Sequence, residues 1–152
     1  MKVFFVAALL ISTSAFAACP NLAGHYANCR STTGQSAGSR DLDISQSTSN
    51  GITTYTVTST SNEDQQRTTD TVVADGRTYT ATNTDESTGM TMQTQTTNAC
   101  VGDSLRMTVV ALMQSQQVGN VTVMVTKKGT QIVQAFQGQV FGQSMNDTLI
   151  CE

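Results

Sequence analysis

The chain has 152 residues, of which 12% are charged and 5% aromatic, with one proline, no tryptophan and a formal net charge of −3. That length predicts one domain, and an acidic balance argues against nucleic acid as the main partner, because phosphate binding needs a basic surface. Hydrophobic residues make up 38%, and the polar remainder is threonine and glutamine rather than lysine and glutamate, which sets the chain apart from charge-rich disorder.

The first residues have the three parts of a secretory signal. Lys2 supplies the positive charge, residues 3–11 form an apolar run, and Ala15-Phe16-Ala17 offers a small-x-small cleavage site. The run is shorter than the roughly twenty residues that span a bilayer, and no later stretch approaches that length. Residues 1–17 therefore read as a signal peptide and 18–152 as a single soluble domain, secreted or periplasmic. Phe16-Ala17-Ala18-Cys19 distantly resembles a bacterial lipoprotein box, with Phe where Leu is usual. Lipid anchoring through Cys19 is the minor alternative, because it would leave an odd number of cysteines in an oxidising compartment.

Beyond the signal, short alternating runs are broken by turn residues. Ten segments read as strands, near 24–31, 40–48, 52–60, 67–74, 77–84, 89–98, 104–114, 118–127, 130–141 and 145–151. In 52–60 Tyr55 and Val57 alternate with threonines, whose branched carbons suit the pleat while their hydroxyls face water. Asn50-Gly51, Asp75-Gly76, Gly119-Asn120 and Lys128-Gly129 read as hairpin connections, since Asn-Gly and Asp-Gly tolerate positive φ. Residues 104–117 also fit a helix capped by Asp103, but the alternation Leu105, Met107, Val109, Ala111, Met113 favours strand. Such spacing predicts an all-β antiparallel up-and-down meander of about eight to ten strands, closed into a barrel, with a sandwich as the other possibility.

The stretch Cys19-Pro20-Asn21-Leu22-Ala23-Gly24-His25-Tyr26 resembles the opening of lipocalin-like (calycin) barrels, where a short plug precedes a G-x-W motif on the first strand. Here Tyr26 stands in the tryptophan position, and no arginine in the last strands is available to stack on it. The resemblance implies a cup-shaped barrel that binds a small apolar molecule.

Cys19, Cys29, Cys100 and Cys151 form an even set in an exported chain, so two structural disulfides are expected. A metal site joining His25 to the cysteines lacks any CxxC pair. Strand directions place Cys19 and Cys100 at one end of the barrel. Closure makes the strands carrying Cys29 and Cys151 neighbours, although parity sets Cys151 lower than Cys29. Cys19–Cys100 and Cys29–Cys151 are the favoured pairs, and a local Cys19–Cys29 link is the alternative.

No catalytic residues, cofactor or metal are expected. His25 is the sole histidine, no G-x-S-x-G elbow exposes a serine, and nothing marks partners for a triad. Acidic pairs at Asp41/Asp43, Glu63/Asp64 and Asp85/Glu86 lack a calcium-loop pattern. Asn120-Val121-Thr122 and Asn146-Asp147-Thr148 are sequons of the kind that chance supplies in a threonine-rich chain. Methionines at 90, 92, 107, 113, 124 and 145 read as core filling or as an adaptable pocket wall. The inward positions expected to contact ligand are Tyr55, Val57, Tyr79, Met92, Met107, Val109 and Phe136. The function expected is exported, non-catalytic binding of a small apolar ligand. Its alternative is a surface or interaction protein with a solid core and no ligand pocket.

Overall fold

The computed structural model describes residues 18–34, 39–84 and 89–152. The signal segment 1–17 and the acidic pair Asp85/Glu86 lie outside the described residues. Ten strands follow one another: β1 Gly24–Ser31, β2 Arg40–Ser49, β3 Ile52–Ser61, β4 Arg67–Ala74, β5 Thr78–Thr84, β6 Thr91–Val101, β7 Ser104–Met113, β8 Gln116–Lys128, β9 Gln131–Val140 and β10 Gln143–Cys151. The segment that also fitted a helix is strand. β7 ends at Met113 and turns through Gln114 and Ser115, at φ 50° and 66°, straight into β8. Two consecutive positive φ values give the turn whose twist matches a hairpin.

All neighbours are antiparallel, and the sheet order is β4-β3-β2-β1-β10-β9-β8-β7-β6-β5. The first and last strands meet, but the sheet is open: β4 and β5, consecutive in sequence, form its two edges. The structure thus corrects the expected closed lipocalin-like barrel to an open, curled meander. The reason lies in the Asp75-Gly76 turn, which the sequence presents as a hairpin. Gly76 does take a positive φ of 73°. Its N–H, however, donates to the Asn98 carbonyl on β6 at 2.9 Å, and the Asn98 Nδ2 donates to the Val73 carbonyl on β4 at 3.5 Å. Asp75 accepts the Arg77 N–H at 2.9 Å and the Tyr79 hydroxyl at 2.6 Å. The turn is therefore spent on β6 and on itself, and β5 continues along β6 (Thr78 opposite Thr97 to Thr84 opposite Thr91) instead of folding back on β4.

A second misread turn is Gly119-Asn120, which lies inside β8. There the register shifts between Ala111 and Leu112 on β7, a bulge of the kind that bends a strand. Gly138 of β9 faces Val121 so closely that a Cβ would collide with the Asn120 carbonyl oxygen. A side chain there would force the β8–β9 ladder apart.

The core sits on the concave face beside the N-terminal plug. Leu22, Tyr26, Tyr55, Ile132, Cys29 and Cys151 are its most enclosed side chains. Their hydroxyls are used: Tyr26 donates to the Leu22 carbonyl at 2.9 Å and Tyr55 to the Pro20 carbonyl at 2.8 Å. The ring of Tyr26 has a cation from the second half of the chain, though not an arginine. Lys127 Nζ lies 5.7 Å from its centroid and donates to the Ala23 carbonyl at 3.1 Å. The bridges are Cys19–Cys100, from plug to the end of β6, and Cys29–Cys151, from β1 to β10. These are the two pairs expected, the second joining adjacent strands although parity sets its cysteines at different heights.

Threonine hydroxyls pair across the strands, Thr58 with Thr69 at 3.0 Å and Thr78 with Thr97 at 2.8 Å. Cross-strand pairs of this kind contribute roughly 0.2–1 kcal/mol each. They give the threonine-rich composition a structural use with few apolar residues.

Candidate functional site

Register decides what faces inward. Ile44 lies opposite Val57, and Val57 opposite Asp70, so all three point to the concave side. Two adjoining hollows open there. The inner one, about 210 Å³, lies against the core and is walled by Leu22, Ile44, Tyr55, Val57, Met107 and Val125. The outer one, about 430 Å³, adds Leu42, Phe136, Met145 and Leu149, with Arg40 and Asp147 among its polar residues. Val57, Asp70 and Gln134 line both.

Of the seven residues expected to contact ligand, this crevice gathers Tyr55, Val57, Met107 and Phe136. Tyr79, Met92 and Val109 line neither hollow. Tyr79 and Met92 lie where the sheet is open and are 46% and 38% exposed. β5 is an edge strand with every residue exposed, and β6 begins exposed beside it, so inward alternation does not cover these two side chains. Sequence reasoning missed Asp70 altogether. The signal for it was parity, because a carboxylate two residues before Val72 must share its face.

Burial pushes the Tyr55 phenol up to about 12, so it keeps its proton and its hydrogen bond to the Pro20 carbonyl. Asp147 is nearly buried and well satisfied. Its carboxylate accepts the Thr33 hydroxyl at 2.7 Å, the Ser31 hydroxyl at 2.8 Å and the Thr148 N–H at 2.8 Å. The bonds from Thr33 and then Ser31 hold its pKa below the ordinary value of 3.8. A depressed folded value contributes stability that is present above 3.8 and lost as pH falls through the folded value. Asp147→Asn should therefore be less stable than the native chain at neutral pH, with the gap closing below about pH 4 in urea melts. A gap that stays constant down to about pH 2 would show that the carboxylate charge is immaterial.

A further titratable cluster lies on β1 and β2. His25 and Asp43 form an ion pair at 2.7 Å, both side chains more than half exposed, and this hydrogen bond raises the imidazole above its ordinary 6.5. Asp41 accepts the Asn28 N–H at 2.9 Å and fastens the β1 bulge. Among the described residues, no three His, Cys, Asp or Glu side chains converge as a metal would require. No helix among them is long and apolar enough to cross a membrane.

The second feature is the free edge of β5. All seven of its residues are exposed, none is charged, and it has no proline. Sheet edges are ordinarily guarded by lysine, proline, bulges or a covering segment. β4, the opposite edge, does carry charge in Arg67 and Asp70. No family model, curated protein or solved structure matches the chain.

Proposed function

We propose that this is an exported, non-catalytic interaction protein that meets another macromolecule through the open edge of its sheet. The observation that carries this reading is the unguarded β5 edge, Thr78–Thr84, whose outward backbone N–H and C=O groups have no strand beside them among the described residues. Such an edge suits an extended partner segment, with main-chain hydrogen bonds supplying affinity. Export follows from the signal-like residues 1–17 and agrees with two disulfides, which persist in oxidising compartments. A photo-crosslinking side chain at Thr80, in the cells that make the protein, should give a discrete adduct. The same group at Gln137, on the outer face of the central strand β9, should not. No adduct from Thr80, or the same pattern from both positions, would overturn the proposal.

A second reading, binding of a small, mainly apolar molecule, is favoured by the eight apolar side chains that wall the inner hollow. At about 210 Å³ that hollow alone is small for a typical ligand, but with the outer one it reaches the usual range.

A further inference from the structure

We infer that the crevice takes a cationic amphiphile, its protonated amine meeting Asp70 and its alkyl part lying against Val57, Val72 and Met107. The inference rests on the second reading above, that the crevice holds a small molecule. Asp70 is the charged residue common to both hollows. Its register partner is Val57, and the neighbouring inward position on β4 is Val72, opposite Tyr55. An exposed carboxylate thus shares the face of an apolar wall, and among the described residues no hydrogen bond or ion pair engages it. Asp147, the other carboxylate of the outer hollow, already accepts bonds from Ser31, Thr33 and Thr148.

A positive charge complements Asp70, where a neutral or anionic group would cover the carboxylate without return. Arg40 lines only the outer hollow, and an anionic head drawn to it would face both Asp70 and Asp147. The site therefore selects for an ammonium group over a carboxylate on the same chain.

The test uses three probes with one medium-length alkyl chain and one fluorescent reporter, ending in a primary amine, an alcohol or a carboxylate. Titrated against the intact protein, the amine should bind about fivefold more tightly than the carboxylate, the size of a partly solvated ion pair. Asp70→Asn should abolish that preference and leave binding of the alcohol unchanged, with circular dichroism reporting the fold. Glu63→Gln removes the same unit of charge in the exposed β3–β4 loop and should keep the native ranking. Equal or tighter binding of the carboxylate, or an amine preference that survives Asp70→Asn, would overturn the cationic ligand while leaving the crevice a binding site. Failure of all three probes to saturate would overturn both.

Discussion

Replacing Cys29 and Cys151 together with alanine should lower stability by roughly 2–5 kcal/mol, the usual loss for a native bridge in a small exported domain. The bridge joins residues 122 apart in sequence, so it removes much freedom from the unfolded chain. It also fastens the weakest closed seam of the sheet. The β1–β10 ladder pairs only Arg30 with Ile150 and Ser31 with Leu149, extended by the reciprocal Ala27–Glu152 bonds at 2.6 and 2.9 Å. The neighbouring β9–β10 ladder runs unbroken from Gln143 to Cys151. Both sulfurs are fully buried, so their loss leaves a gap in the core as well. Urea unfolding followed by circular dichroism measures the change, and a loss under about 1 kcal/mol would show that the ladder suffices without the bridge.

Tyr55→Ala should cost a similar amount, about 3–5 kcal/mol, because truncating an enclosed aromatic leaves a cavity that surrounding strands fill only in part. Its ring is fully buried, and its hydroxyl ties β3 to the plug through Pro20. Tyr55→Phe separates the two contributions. It keeps the packing and removes one hydrogen bond, so a loss of about 1 kcal/mol is expected. The same urea melts apply. If Tyr55→Phe cost as much as Tyr55→Ala, the plug contact rather than ring packing would hold this side of the core.

Most of the strand sequence is legible because period-two alternation is a local property. Tyr55 and Val57 mark β3, Leu105 to Met113 mark β7, and Asn50-Gly51 makes the turn between β2 and β3, at φ 51° and 76°. Gly119 misleads because glycine serves a bulge within a strand as well as it serves a turn. Closure was not legible. Whether β4 and β5 pair depends on Gly76 giving its N–H to Asn98, twenty-two positions along the chain, and no local pattern encodes that choice. The same non-local curl decides which inward residues are covered. Met107 is covered beside the plug, whereas Met92 and Tyr79, with equally good alternation, are left in solvent. Asp70 escaped notice because nothing local tells which face of a threonine-rich strand a single acid takes. Its place in the crevice emerges only from register with Val57.

Amide hydrogen exchange along β5 tests the open edge most directly. In an antiparallel edge strand, alternate residues bond inward to the neighbour and the others present their N–H groups outward. With β6 on one side and solvent on the other, alternate amides between Thr78 and Thr84 should exchange rapidly. The amides of β3, flanked by β2 and β4, should be protected throughout. Uniform protection along both β4 and β5 in the dilute monomer would mean that the sheet closes on itself, and would contradict the open edge on which the proposed function rests.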